Sequence, residues 1–334
     1  MLNLGIVGTS KLVDNLKFLK NQNIGIRVIA ISGRNVERVK NYSEYFNCLP
    51  YYNHHELITN KDIQIIYINL PDGLHDEYCS NALKYNKHII CEKSFGVNFN
   101  SVQNIVNVAN KRKLYLFESF MVLYHEQYKL LENYIDSKKL GSLINLTYFN
   151  TGYFNKKKNY RFIKDLGGGI INDLGCYVVN LYLKYSKEKI KKINADFIQN
   201  AEDEVETTGI INIISEKNFF INGMISYSMP TNLKLIANFQ YGKITFYNPS
   251  TSAKFTKVKL EELNNNILKK NINLKQKLIL YLKKIINNFF YFKRNNVKNI
   301  KLKSDNPYKL MLESFVKIIL EKKDYKLNNK NITK

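Results

Sequence analysis

The chain has 334 residues, more than one ordinary domain and enough to bury a substantial core, so two domains are expected. Hydrophobic residues make up 45% and aromatic residues 13%, which excludes a disordered, low-complexity chain. The balance of 51 basic against 28 acidic residues gives +23, but the excess is mostly Lys beside abundant Asn, Ile and Tyr. No recognised module or Arg-rich stripe accompanies it, so nucleic acid is not expected as a partner.

The start, Met1-Leu2-Asn3-Leu4-Gly5, runs straight into a strand without a basic leader or small-residue cleavage site. No stretch of 18 apolar residues occurs, and a soluble, cytoplasmic protein is expected. Residues 3 to 8 read as a strand ending in Gly8, and Leu12, Leu16 and Leu19 follow at helical spacing. The alternation repeats through strand Ile26 to Ser32, helix Val36 to Phe46, strand Ile63 to Asn69, helix Leu74 to Tyr85, strand His88 to Cys91, helix Ser101 to Lys113 and strand Leu114 to Phe117. Strands alternating with helices predict βαβ units and a parallel, doubly wound sheet. After about residue 140 the strand-like runs are Leu143 to Thr151, Ile190 to Ile198, Val205 to Ile214, Phe219 to Tyr227, Leu233 to Phe239 and Lys243 to Tyr247. One helix, Ile170 to Tyr185, interrupts them, which predicts an α+β domain with a large, mostly antiparallel open sheet. Residues 1–120 are expected to form the α/β domain, and 121–334 the second. A last helix is expected over Tyr308 to Glu321.

The first strand-to-helix turn, Gly8-Thr9-Ser10-Lys11-Leu12-Val13, lies where a dinucleotide fold brings pyrophosphate to a helix N-terminus. Only the first fingerprint glycine is present, with Ser10 and Val13 in place of the others, so a purely structural turn stays open beside the phosphate reading. The second strand ends Ala30-Ile31-Ser32-Gly33-Arg34, with a hydroxyl and a guanidinium where an NAD site carries an acid. Arg34 could pair with a 2′-phosphate and Ser32 donate to it, which favours NADP(H) over NAD(H) without excluding the latter. A solvated Arg34 at the start of the next helix is the other reading. Further on, Cys91-Glu92-Lys93-Ser94 ends a strand where open α/β sheets bind ligands. Gly167-Gly168-Gly169-Ile170-Ile171-Asn172-Asp173-Leu174-Gly175-Cys176-Tyr177 joins a flexible triple glycine to a helix that carries Asp173 and Tyr177 four residues apart on one face.

In this order and at these separations the pieces resemble the Gfo/Idh/MocA oxidoreductase family, in the branch of glucose-fructose oxidoreductase and dimeric dihydrodiol dehydrogenase. Leu70-Pro71-Asp72-Gly73-Leu74-His75 is similar to T-P-N-x-x-H, and Lys87-His88-Ile89-Ile90-Cys91-Glu92-Lys93 to G-K-H-V-L-C-E-K-P. Glu118-Ser119-Phe120-Met121 is similar to E-A-F-M, and Gly167 to Tyr177 to G-G-G-x-x-x-D-x-G-x-Y. The resemblance implies a Rossmann domain and a mixed-sheet domain, a homo-oligomer (dimer or tetramer) and a sugar-like aldose, cyclitol or diol as substrate. It implies Lys93 and Tyr177 as a catalytic pair, Asp173 near the substrate hydroxyls, and Arg161 near cofactor or substrate. The expected cofactor-binding residues are Gly8, Thr9, Ser10, Lys11, Leu12, Ser32, Gly33, Arg34, Leu70, Pro71, His75, Glu92, Lys93 and Arg161. An ammonium beside a phenol favours phenolate, which would bring Tyr177 toward proton exchange while Lys93 holds the reacting oxygen.

Ser94 replaces the proline that follows the family's Lys, and Asn69 stands where the family has Thr. Leu123 and Glu126 take the places of an Arg and a Pro. These departures leave open a second function, a dinucleotide-binding regulator without turnover. No metal is expected, because Cys48, Cys79, Cys91 and Cys176 match no zinc spacing. His55-Glu56-Leu57-Ile58-Thr59 lacks the second histidine of a zinc protease helix. The basic, amphipathic stretch 274–294 is read as packing on the domain or on a neighbouring subunit in preference to a membrane surface.

Overall fold

The computed structural model describes residues 1–263 and 295–329, apart from 158, 187, 201, 203, 218 and 251. The stretch 274–294 lies outside the described residues. In the first layer β1 (Leu2–Val7), β2 (Ile26–Ser32), β3 (Leu49–Tyr51), β4 (Ile65–Ile68), β5 (His88–Cys91) and β6 (Leu116–Glu118) are joined by α1 (Val36–Phe46), α2 (His54–Thr59), α3 (His75–Lys84) and α4 (Phe99–Arg112). The sheet order is β3-β2-β1-β4-β5-β6, with every pair parallel. The inner strands, buried on both faces, are apolar runs and were legible for that reason, whereas the edge strand β3, with Leu49 and Pro50 exposed, was missed. The order reverses between β1 and β4, which opens a crevice at the strands' C-terminal ends.

The first connection is a 3-10 helix, Lys11–Lys20, and not an α-helix. It buries Val13, Leu16 and Leu19, three apart, and leaves Leu12 exposed, the spacing that three residues per turn demand. Some of the abundant asparagine serves as helix caps: the side chains of Asn35, Asn53, Asn98 and Asn306 each accept a backbone N–H at the start of a helix.

The second layer begins with α5 (Glu126–Ser137), which the sequence reading missed, and β7 (Leu143–Tyr153). A π turn, Ile171–Gly175, runs into α6 (Cys176–Tyr185), and the strands β8 (Ile190–Asn200), β9 (Val205–Ser215), β10 (Phe220–Ser226), β11 (Ser228–Phe239), β12 (Gly242–Tyr247), β13 (Phe255–Leu263) and β14 (Asn295–Lys303) complete it. The sheet order is β14-β13-β12-β11-β7-β10-β9-β8, antiparallel except for β7 with β10. Helix α6 lies on one face of it, with Val178 and Tyr182 packed against Tyr148, Ile221 and Leu235. The approach is close: a Cβ at Gly223 of β10 would stand 2.4 Å from Val178 Cγ2. Gly223→Ala should therefore cost about 1–3 kcal/mol by overpacking, read as a lowered melting temperature.

Two last helices, α7 (Pro307–Leu320) and α8 (Tyr325–Asn329), return to the first sheet. Tyr308, Met311 and Phe315 join Leu4, Ile6, Leu16 and Ile31 in one core cluster. Asn329 closes the edge of β6, accepting from Leu116 N at 2.9 Å and donating to Leu114 O at 2.9 Å. Among the described residues no helix is long and apolar enough to cross a membrane.

Candidate active site

A cleft of about 780 Å³ lies between the C-terminal ends of the parallel strands and the second layer. The first layer lines it with Ser10, Lys11, Leu12, Asn69, Leu70, Pro71, Asp72, Glu92 and Lys93. The second layer contributes Asn150, Phe154, Tyr160, Arg161, Asp173, Tyr177, Asn248 and Ser250, and α7 adds Tyr308.

The chain brings these loops together by crossing its own backbone where only glycine fits. Gly167 has φ +75°, and a Cβ there would stand 2.4 Å from Gly73 N. The triple glycine thus works here as a close crossing between the layers. The π turn that follows aims Asp173 into the cleft, where Lys93 Nζ donates to Asp173 Oδ1 at 2.7 Å and to its carbonyl oxygen at 2.6 Å. Arg161 Nε donates to Asp173 Oδ2 at 2.6 Å, and the Tyr227 hydroxyl to the same oxygen at 3.0 Å. Ser94, at the proline position, donates from Oγ to Asn172 O at 2.9 Å and so fastens the same turn.

Burial alone would raise the Asp173 carboxyl, but Lys93 and Arg161 outweigh it and hold the group below the ordinary carboxylate range. Burial pushes Lys93 down, and Asp173, with Tyr177 behind it, keeps it well above the ordinary lysine range. Asp173 therefore organises the two cations, with both oxygens engaged, while it also lines the cleft.

Lys93 Nζ lies 5.2 Å from the Tyr177 ring centre. That ring sits edge-on to Phe120 at 5.6 Å and stacks on Tyr148 at 6.2 Å. Burial pushes the Tyr177 phenol far above its ordinary range, and the opposing pull of Lys93 is smaller. Lys93 thus pulls the phenol in the expected direction, and burial outweighs it.

Ser10 caps the first helix, accepting from Leu12 N at 3.2 Å, and donates to Asn69 Oδ1 at 2.8 Å. Asn69 Nδ2 is buried without a partner among the described residues. Gly8 has φ +107°, and a Cβ there would stand 2.2 Å from Asn69 O. A helix N-terminus, a tight glycine and an orphaned amide donor at one crevice fit the phosphate end of a dinucleotide. Gly33 abuts the Thr9 side chain, where a Cβ would stand 2.8 Å away. A smaller depression beside Thr9 is bordered by Lys11, Lys17 and Arg38, basic residues of which the sequence reading had singled out only Lys11.

Several expected cofactor residues do not line the cleft. The Ser32 hydroxyl turns inward, 2.8 Å from His54 Nδ1 and 3.4 Å from Ile6 O, so it is not free for a 2′-phosphate in this geometry. Arg34 is exposed just past β2. His75 is fully buried and bridges two cleft loops, with Nδ1 2.6 Å from Ser94 O and Nε2 2.9 Å from Leu70 O. Glu92 accepts from Ser119 Oγ at 2.9 Å and from the Tyr67 hydroxyl, which anchors the residue next to Lys93. His54 and His55 open α2, His54 against Ser32 and His55 Nε2 3.4 Å from the Tyr85 hydroxyl. Among the residues missed, Asp72 stood inside a quoted motif, whereas Asn150 and Ser250 meet on the Tyr148 hydroxyl and carry no local signal.

A parallel sheet with a switch-point crevice, faced by a second layer that supplies Asp173 and Tyr177 to Lys93, defines a two-layer chain of the dinucleotide-binding kind. A model described as an oxidoreductase family with an NAD-binding Rossmann fold matches residues 2–120, and a GFO/IDH/MocA C-terminal domain model matches 128–245. The chain belongs to the Gfo/Idh/MocA family. A dTDP-3,4-didehydro-2,6-dideoxy-alpha-D-glucose 3-reductase of Actinomadura kijaniata is 30% identical over 152 residues, 46% of each chain. A trans-1,2-dihydrobenzene-1,2-diol dehydrogenase of Xenopus laevis is 26% identical over 188 residues, 55% of this chain and 56% of that protein. The chain thus spans about half the length of the curated relatives it matches. A 3-ketoreductase from Actinomadura kijaniata, crystallised with NADP and TDP-benzene, has a TM-score of 0.83 at 17% identity, covering 99% of this chain and 94% of that one. An aldose-aldose oxidoreductase from Caulobacter crescentus, complexed with glycerol, has a TM-score of 0.79 at 16% identity over 99% and 94%. These two structures share the fold.

Proposed function

We propose that the protein is an NADP(H)-dependent oxidoreductase that moves hydride between the nicotinamide and a sugar-like carbonyl or hydroxyl of an aldose, cyclitol or diol. The observation that carries this reading is the meeting of Lys93 and Tyr177 across the two layers in the cleft above β4 and β5. The bound cofactor would supply or accept the hydride. Lys93 uses two of its three protons on Asp173, which leaves one donor for a reacting oxygen. Tyr177 gives its proton to that oxygen as a carbonyl is reduced, which leaves a tyrosinate beside Lys93, and in the reverse direction that tyrosinate takes the proton from the alcohol. Gly8, Ser10, Lys11 and Leu12 would hold the pyrophosphate, and Leu70 and Pro71 would border the nicotinamide side. His75 would act as a positioning residue behind that wall, and Glu92, itself in the cleft lining, would anchor the turn that carries Lys93. The named reductases and the diol dehydrogenase among the relatives support this class of chemistry.

A panel of aldoses, cyclitols and diols, with their carbonyl counterparts, should show turnover in the absorbance of reduced nicotinamide. Cofactor that binds and is never consumed would favour the regulator instead. With Ser32 turned inward, the 2′-phosphate reading rests on Arg34, and Arg34→Ala should weaken NADPH binding by about 1–3 kcal/mol while sparing NADH. Equal dissociation constants for NADPH and NADH in the unaltered protein would remove the NADP(H) preference.

A further inference from the structure

The end of β2 is where a dinucleotide's adenosine ribose is read, so the β4–β6 half of the sheet takes the nicotinamide side. Asp72 stands on that side, in the turn after β4. It is 3% exposed and lines the cleft. Titratable groups surround it: Lys93 after β5, Glu118 at the end of β6, Tyr160 and Arg161, Asp173 in the π turn and Cys176 at the start of α6, while the turn packed against it carries Lys164 and Asp165. Both cations are bonded to Asp173, and Asp72 makes no ion pair among the described residues. The Ser94 backbone N–H faces its carboxyl. The motif quoted for the family has Asn here, which cannot ionise.

We propose that Asp72 makes this cleft discriminate oxidised from reduced dinucleotide through its own charge, the ionised carboxylate stabilising the positive ring of the oxidised cofactor. The inference rests on the dinucleotide reading above. Burial pushes the Asp72 carboxyl up to about 7 against the pull of Lys93, so both of its states are populated near neutrality. A cationic ring beside it favours ionisation, so binding of the oxidised cofactor expels a proton and tightens as pH rises through that value. The reduced ring is neutral and gains nothing. Phosphates and other groups common to both cofactors cancel in the ratio of their dissociation constants.

The test is an equilibrium titration of the purified protein and of Asp72→Asn with NADP⁺ and with NADPH, at about pH 6 and about pH 8.5, on either side of a carboxyl near 7. The ratio of the NADP⁺ to the NADPH dissociation constant should fall on the order of three- to tenfold with rising pH in the unaltered protein. In Asp72→Asn it should stay level, with NADPH binding at acid pH showing that the variant is folded. A pH-independent ratio in the unaltered protein overturns the inference alone, and so does a pH effect that survives in Asp72→Asn, which would point to Glu118. Failure of both cofactors to bind at either pH overturns the dinucleotide reading, and this inference with it.

Discussion

Tyr177→Phe should lower the turnover rate by about 10²–10⁴, the usual contribution of a placed acid or base, with cofactor affinity little changed. The substitution removes one hydroxyl and keeps the ring that packs against Phe120 and Tyr148, so the wall of the cleft survives. Lys93→Ala should do at least as much damage, because it takes away the remaining donor to the reacting oxygen and also strips Asp173 of one of its two cation partners. The two effects should not add in the double variant, since both side chains act on one oxygen. Single-turnover measurement with saturating cofactor checks this, and undiminished turnover in Tyr177→Phe would remove Tyr177 from the mechanism.

The first sheet, its edge strand β3 apart, was legible because parallel strands covered on both faces spell themselves as apolar runs, and Ile26–Ser32 and His88–Cys91 fall where those runs predict. Where burial is one-sided the signal weakened. In β13 only Thr256, Val258 and Leu260 are buried, and the intervening charges hid a period of two that was present. Helix α5 is capped by His125, outside the usual Ser, Thr, Asp and Asn set, and buries only Gln127, Tyr128 and Leu131. At the site, the motifs held Lys93, Asp173 and Tyr177, but their mutual arrangement is tertiary. Lys93 does pull on the Tyr177 phenol as the motif pairing implies, but burial pulls harder the other way, and burial is a tertiary quantity that no motif spells. The place of Ser32 was likewise hidden, since only the fold reveals that its hydroxyl turns inward to His54 Nδ1.

Asp173→Ala should destabilise the protein by about 3 kcal/mol or more, because it leaves two half-buried cations facing each other without their shared counter-charge. Asp173→Asn keeps the volume and an acceptor and should cost less, yet it also surrenders the charge. The pH dependence separates charge from packing. In the folded chain the Asp173 carboxyl is held below its ordinary value, so the stability it contributes is fully present above the unfolded carboxyl's range and is lost as pH falls toward the depressed folded value. Denaturant unfolding of the unaltered protein and of Asp173→Asn should therefore show a gap that is constant near neutrality. The gap should narrow as the buffer is taken below about pH 4, where the unfolded carboxyl is protonated. A gap that stays constant into acid would mean that the carboxylate contributes through packing and neutral hydrogen bonds, and that Lys93 and Arg161 are held in place by something other than its charge.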